Sequence, residues 1–443
     1  MLANKLARAV FQSLSSNLQD APPPRGAPAW DGAPRNNLLA ILGDSIVLQN
    51  SSTVGGFQNN GFITSMNRRT GQRLYFSPNR NFGVGGDTTL MAEARMTAMI
   101  ATGAGLGIIA VGTNDPNAGV TADQTLESMK RMRDAAKTAR MVLIFIVPAP
   151  RGNDIYPATR LAGANLVTAQ TIRSRMLAEL PGVGCYVVDN HTHLLKDGTV
   201  NDIKDGYTSD GLHPLTLGAY YWGITAAEVV ANLFTAIPVI ATVENPWNAT
   251  TNPQGSASSN ALTAGTTGTV GSGGSGQLAT GYSGSNSTGT TGVTRTYSKV
   301  TKDGKTWQQI VVGGVAATQT AAIDLMRQIG LQNKVTPGLV YEVVAQYEHD
   351  ADVNNIASLQ FGFQLITPGG TTSLWDGDKY TNVSLLPQVA DAGIARSPRF
   401  VMPADATDLR LRAACYLSTL GPPTGTFRIT GLEIRPVPGQ IPT

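Results

Sequence analysis

The sequence predicts an α/β domain built on a parallel sheet, followed by an all-β sandwich domain. Three observations predict it. In the first half, short apolar runs alternate with stretches of helical pattern, the signature of strands joined by helical crossovers. A segment rich in Thr, Gly, Ser and Asn, Glu244–Gly292, then breaks that alternation. From Arg295 onward, strand-period runs separated by turn clusters take over.

The elements follow in order. Leu2, Leu6, Val10, Leu14 and Leu18 recur at every fourth position, which predicts an amphipathic helix that Pro22–Pro24 end. Residues 1–36 are therefore read as a helix and a proline-rich tether, the helix packing on its own domain or docking to a partner. Lys5 and Arg8 interrupt its apolar stretch, so no signal peptide is expected there. Residues 37–243 hold the α/β pattern. Strands are expected at Leu38–Leu42, Arg80–Val84, Leu106–Val111, Met141–Val147 and Tyr186–Asp189. Helices are expected at Met91–Ala101, from a Thr121 cap to about Arg140, at Leu161–Leu180 and at Leu217–Phe234. Residues 244–443 are read as the β domain. Its first stretch, Glu244–Gly292, reads in isolation as a linker, although its Gly-Ser spacing also suits a sheet with tight turns. Strands are expected at Thr306–Val312, Val340–Tyr347, Ser358–Ile366, Leu409–Leu417 and Thr426–Val437. The third is the clearest: Leu359, Phe361, Phe363 and Leu365 alternate with Gln360, Gly362 and Gln364.

Composition narrows the function. Of 443 residues, 42% are hydrophobic and only 14% charged, and the net charge of +3 comes from scattered basic residues, a poor match to a nucleic-acid-binding surface. The longest apolar stretch, Ile224–Ile240, contains Glu228, Asn232 and Pro238, so no membrane span is expected. Cys185 and Cys415 lie far apart and are expected to be buried thiols rather than a disulfide or metal site.

Four short segments carry the candidate chemistry: Gly43-Asp44-Ser45-Ile46, Gly83–Thr89, Gly112-Thr113-Asn114-Asp115 and Asp210-Gly211-Leu212-His213-Pro214. Each follows or faces the carboxyl end of an expected strand, and in a doubly wound sheet those ends share one crevice. Ser45 supplies a hydroxyl nucleophile, His213 a base, and Asp210 an acceptor that can fix the imidazole tautomer. The backbone N–H groups of Ser45 and Gly86 and the side-chain amide of Asn114 are candidate oxyanion donors. Singly, each segment is more commonly a turn or a cap. Their conjunction, in order and on an α/β pattern, points to acyl transfer. The usual G-x-S-x-G elbow is not the motif here, since Gly43-Asp44-Ser45-Ile46-Val47 lacks its second glycine.

On these residues the stretch from about Asn37 to Pro238 resembles the SGNH (GDSL-type) hydrolases, whose four blocks match Ser45, Gly86, Asn114 and His213. Ile46 stands where leucine is usual, a conservative departure. Gly86 is preferred to Gly85 as the donor because the family's donor directly precedes the Asp-Thr pair. The resemblance implies a flavodoxin-like three-layer fold and cofactor-free serine-esterase chemistry on acyl or acetyl esters. The β domain more loosely resembles the jelly-roll, carbohydrate-binding-type domains appended to such hydrolases in bacteriophage tail proteins. That implies a virion-borne esterase acting at the bacterial surface on an O-antigen or capsule, attached through the N-terminal helix and assembled as a homotrimer. The alternatives are a lipase or thioesterase and a non-catalytic adhesin.

Other candidates are weaker. Trp375, in the polar stretch Leu374–Asp378 read as a loop, is a candidate sugar contact, whereas Trp222 and Trp307 are expected in the core. His191 and His193 form an H-x-H pair without further ligands in sequence. Asp350 and Asp352 could hold calcium, but not in an EF-hand. Asp44, Asp87 and Asp115 are expected to brace their turns through Asx hydrogen bonds.

Overall fold

The computed structural model describes residues 31–51, 61–236, 239–319, 321–377 and 385–437. The expected N-terminal helix and the Pro22–Pro24 stretch that ends it lie outside them.

The first sheet has the order β2-β1-β3-β4-β5 and is parallel throughout. Its strands are β1 (Leu38–Gly43), β2 (Tyr75–Gly83), β3 (Leu106–Ala110), β4 (Val142–Ile146) and β5 (Cys185–Val188). β3 and β4 are buried along their whole length, as expected of strands covered on both faces. Alternation along β1 divides the covering layers. Leu39 and Ile41 join a core with Phe62, Met66, Trp222 and Val230, from helices Phe62–Arg69 and Thr216–Leu233. Ala40 and Leu42 join the opposite core with Leu126, Met129, Ile172 and Met176, from helices Ala122–Thr138 and Gly163–Glu179. The result is three layers. Thr121 caps the third of these helices in a full capping box with Gln124, and Lys130 meets Glu127 at 2.9 Å. Helical pattern at Met91–Ala101 resolves into two short helices, Thr89–Glu93 and Met96–Ala101. β2 begins five residues before the expected start at Arg80, because Ser77, Pro78 and Asn79 interrupt its apolar pattern.

Strand order reverses on either side of β1, so the crevice of such a sheet opens at the carboxyl ends of β1 and β3. Ser45 follows the first and Asn114 the second.

The rest of the described chain folds as two packed sheets. One has the order β13-β12-β16-β10-β7, and the other β14-β11-β17-β9-β8-β6 with β15 paired to β11. The strands are β6 (Gly274–Gly276), β7 (Ser283–Asn286), β8 (Val293–Lys302), β9 (Lys305–Gly314), β10 (Ala322–Gln328), β11 (Val340–His349), β12 (Ile356–Thr367), β13 (Gly370–Gly377), β14 (Asp391–Arg396), β15 (Phe400–Val401), β16 (Asp408–Leu417) and β17 (Gly425–Pro436). Phe361, Phe363, Leu411 and Cys415 of the first sheet share a core with Tyr341, Val343, Ile310, Phe427 and Ile429 of the second. The Thr/Gly/Ser-rich segment is part of this body. Leu278, Ala279 and Tyr282 are buried in the core, and the Tyr282 hydroxyl donates to the Leu432 carbonyl at 2.8 Å. A few apolar anchors suffice where glycines let the backbone pack closely, so the linker reading gives way to the tight-turn reading.

The two bodies meet through the helix Phe62–Arg69. Arg68 in its last turn donates from Nε to Asp376 Oδ1 at 2.9 Å and from Nη2 to the Asp376 and Leu359 carbonyls at 2.7 and 3.1 Å. Its guanidinium also lies over the rings of Tyr347 and Phe361. Gln72 Nε2 donates to the Ile394 carbonyl at 2.6 Å, and Arg69 pairs with Asp391 at 2.6 Å.

Candidate active site

Gly43 ends β1 where no side chain fits: a Cβ there would lie 1.9 Å from the Ala110 carbonyl oxygen of β3 and 2.5 Å from Val47. The chain turns at once into a single helical turn, Ser45–Leu48. Asp44 caps that turn, its Oδ1 accepting from the Ile46 N–H at 2.9 Å. Asn50 holds the turn from the other end, donating to the Ile46 and Val47 carbonyls at 3.1 and 3.0 Å and accepting from the Ile63 N–H at 2.8 Å. Ser45 is thus the first helical residue on a braced turn, with its N–H among the donors a helix start leaves unpaired.

His213 lies 168 positions further on and its Nε2 is 2.8 Å from Ser45 Oγ. His213 Nδ1 is 2.7 Å from Asp210 Oδ2. A carboxylate only accepts, so Nδ1 carries the proton and Nε2 is left to accept from the serine hydroxyl. Asp210 is anchored by its other oxygen, which accepts from the His213 and Leu212 N–H groups at 2.7 and 2.9 Å. Partial burial works against ionisation of Asp210, but the hydrogen bonds from the His213 ring and from these two backbone groups outweigh it. Its carboxyl is held below the ordinary aspartate value.

The second and third blocks converge on the same end of the sheet. Gly86 has φ +82°, in the left-handed region that favours glycine, which a side chain would strain even though the space beyond it is open. Asn114 Nδ2 donates to the Asp87 carbonyl at 2.9 Å, tying the loop after β3 to the loop after β2. That bond takes one of the two amide hydrogens.

Asp44 behaves as an Asx brace, but Asp87 and Asp115 do not. Asp87 pairs with Arg95. Asp115, fully buried, accepts from the Thr89 N–H at 2.8 Å and the Thr125 hydroxyl at 2.5 Å, long-range bonds that lock two helices beside the site. Asp44 is 1% exposed, and burial, opposed by the Ile46 N–H and reinforced by the charges of Asp115 and Asp87, raises its carboxyl to about 7.

Two arginines that the sequence reading passed over shape the site. Arg95 donates to the Phe82 and Gly43 carbonyls at 3.1 and 3.0 Å and binds the carboxylate of Asp87, joining the ends of β1 and β2. Arg151, just beyond β4, donates from Nη1 to the Thr113 carbonyl at 2.8 Å and from Nε to the Thr159 carbonyl at 2.9 Å. Thr159 in turn donates its hydroxyl to the Asp210 carbonyl at 3.0 Å. The signal available for Arg151 was its place at the carboxyl end of a buried strand, the edge on which ligands gather.

The remaining candidates lie apart. Trp375 is on β13 rather than in a loop, opposite Gly362 and on the face of the sheet away from Phe361 and the core. The strand continues through it because Leu374, Trp375, Asp376 and Gly377 each pair with β12. The guanidinium of Arg412 lies 5.2 Å from its ring centre. Trp222 and Trp307 are buried. His191 and His193 do not converge, the latter stacking on Tyr221. Asp350 binds Arg428 through both oxygens at 2.7 and 2.9 Å, and Asp352 accepts from Thr426. Among the described residues no group of three or more His, Cys, Asp and Glu is placed to hold a metal, and no helix is long and apolar enough to cross a membrane.

Residues 41–219, which contain Ser45, Gly86, Asn114, Asp210 and His213, match the GDSL-like Lipase/Acylhydrolase family. The match supports a GDSL-type acylhydrolase domain in the first body. Solved structures similar to it include a GDSL-like lipase from Bacteroides thetaiotaomicron, at 17% identity and TM-score 0.36 over 50% of this chain and 97% of that one. Another is a lipase/acylhydrolase from Enterococcus faecalis, at 17% identity and TM-score 0.36 over 46% of this chain and 100% of that one. A third is an acetylxylan esterase from Geobacillus stearothermophilus, at 17% identity and TM-score 0.34 over 47% of this chain and 99% of that one. No protein of curated function matches the sequence.

Proposed function

We propose that the protein is a serine esterase that removes O-acetyl groups from a bacterial surface polysaccharide, an O-antigen or capsule. The observation that carries the reading is the unbroken relay Asp210–His213–Ser45 at 2.7 and 2.8 Å, with Asn114 and Gly86 at the same sheet edge. Ser45 Oγ attacks the ester carbonyl while His213 Nε2 takes its proton. The oxyanion is held by the N–H groups of Ser45 and Gly86 and the free amide hydrogen of Asn114, each such donor worth about 2.7–4 kcal/mol in the transition state. Collapse expels the sugar hydroxyl, which receives the proton from His213, and leaves acetyl-Ser45. Water then attacks the acyl carbon, giving its proton to His213, and acetate departs with Ser45 restored. Asp210 holds the imidazole tautomer and offsets the imidazolium charge.

The β sandwich would hold the polymer, with Trp375 and Arg412 on its outer face as candidate sugar contacts. The chain would act at the bacterial surface as a phage tail or prophage protein, attached through the helix expected over Leu2–Leu18 and assembled as a trimer. A fluorophosphonate probe tests the chemistry: labelling is expected for the native chain and absent from Ser45→Ala, and equal labelling of both would refute it. Acetate release from O-acetylated polysaccharide, compared with hydrolysis of long-chain acyl esters, tests the substrate. Reaction with the long chains alone would refute a polysaccharide deacetylase.

A further inference from the structure

Two hydrogen bonds from Asp210, by way of Thr159 and Arg151, lies a pocket that acyl transfer leaves unused. It has a volume of about 60 Å³ and opens where β3 and β4 end, between Thr113, Arg151, Arg173, His191 and Asn201, with Val200 on its rim. Arg151 is 5% exposed, and among the described residues no carboxylate lies within ion-pair distance of it, the charges of Asp44 and Asp210 acting on it from further off. Its two hydrogen bonds go to carbonyl oxygens and leave Nη2 unused. A buried guanidinium without a counter-ion is uncommon, because removal of its hydration is ordinarily offset by an anion. Asn201 supplies the second observation: it is 6% exposed, and its Nδ2 is buried without an acceptor. Arg173 differs from Arg151, since Asp189 already binds it at 2.5 Å. His191 is held toward its neutral form chiefly by burial. The nearby carboxylates of Asp44 and Asp210 are taken up by the turn cap and by His213.

The pocket therefore presents the unused edge of a guanidinium, with the buried Asn201 amide in its wall. A carboxylate has the planar pair of oxygens that such a fork recognises. The volume is enough for a carboxylate.

We propose that this pocket is a subsite for the carboxylate of an acidic sugar, so that the polysaccharide deacetylated at Ser45 is a uronate-type polymer. The proposal rests on the esterase reading and names its substrate class.

Kinetics on O-acetylated polygalacturonate and O-acetylated xylan, an acidic and a neutral polymer, test it with the full-length chain. Acetate release from the acidic polymer should exceed that from the neutral one by about tenfold or more in kcat/KM. Val200→Asp, at a rim position 64% exposed where folding is not at stake, should lower kcat/KM on the acidic polymer several-fold and leave the neutral one unchanged. Equal rates on both polymers, or an equal effect of Val200→Asp on both, would overturn the subsite while leaving the esterase standing. Calorimetry with free galacturonate and galactose measures recognition independently of turnover. Galacturonate should bind more tightly, and its advantage should fall in Asn201→Leu and in Val200→Asp. Equal binding of the two sugars would overturn the subsite, whereas absence of fluorophosphonate labelling would overturn the esterase reading itself.

Discussion

Replacing Asp210 by asparagine changes almost nothing in shape and reverses one hydrogen bond. Asp210 makes three: Oδ1 accepts from the Leu212 and His213 N–H groups, and Oδ2 accepts from His213 Nδ1. In Asp210→Asn the amide oxygen must stay on the side of the two backbone donors, because turning it over would face an NH2 group against two N–H groups. That places Nδ2 against His213 Nδ1, which can then only accept. The imidazole proton moves to Nε2, where it points at Ser45 Oγ and cannot serve as base. Tautomer reversal of this kind lowers kcat by about 10⁴, or about 5.4 kcal/mol of barrier. Stability should barely change, since the two backbone bonds survive. Asp210→Ala, by contrast, orphans both N–H groups at about 1–3 kcal/mol each for those removed from water. Steady-state hydrolysis of a short-chain aryl ester and a thermal melt measure both quantities. An Asp210→Asn enzyme within tenfold of native kcat would refute the tautomer argument.

On the proposed mechanism Asn114→Ala removes an oxyanion donor and leaves Ser45 in place, so kcat should fall about 10²–10³-fold at nearly constant KM, measured on the same ester. Asp44, raised to about 7 against an ordinary 3.8, keeps its proton in the folded chain over a range where the unfolded chain has lost it. Its stabilising contribution is full below about pH 3.8 and is lost as pH rises through about 7, so Asp44→Asn should flatten the decline between pH 5 and pH 8 by roughly 2–3 kcal/mol in denaturant melts. Asp376→Ala strips the buried carboxylate from Arg68 and should destabilise the chain by about 3–5 kcal/mol, whereas Arg68→Met with Asp376→Leu should recover much of that loss in the same melts.

The α/β body was legible because its strands are buried on both faces. Leu106–Ala110 and Val142–Ile146 are continuous apolar runs bounded by glycine or proline, so the residues after them could be assigned to one crevice before any geometry was known. Ser45, Gly86, Asn114, Asp210 and His213 emerged because each sits in a short segment whose neighbours are turn formers. Arg95 and Arg151 escaped the same reading. Both act by donating to main-chain carbonyls, Gly43 and Phe82 for one and Thr113 and Thr159 for the other. A carbonyl has no residue type, so no sequence pattern marks its partner. β10 and β13 were missed for a related reason. Asp324 and Arg327 interrupt β10, and Thr371 to Ser373 give β13 the polarity of a loop, yet each is held by the strand beside it.

The contact between the two bodies is where sequence reading has least purchase and the site has most to gain. Arg68 and Asp376 are 308 positions apart, and neither belongs to a motif. Burial raises the Asp376 carboxyl, with Arg68 and the Arg396 N–H pulling the other way, so the carboxylate depends on both bodies being in place. The helix that carries Arg68 is also the helix whose Ile63 N–H rests on Asn50, and Asn50 holds the turn that presents Ser45. The sandwich therefore reaches the nucleophile through one helix and one asparagine side chain. A sandwich that served only as a tethered module would have no need of a buried ion pair and a guanidinium lying against a stacked pair of aromatic rings. The arrangement fixes the sandwich relative to Ser45, which is what the proposed action on one repeating unit of a long chain would require.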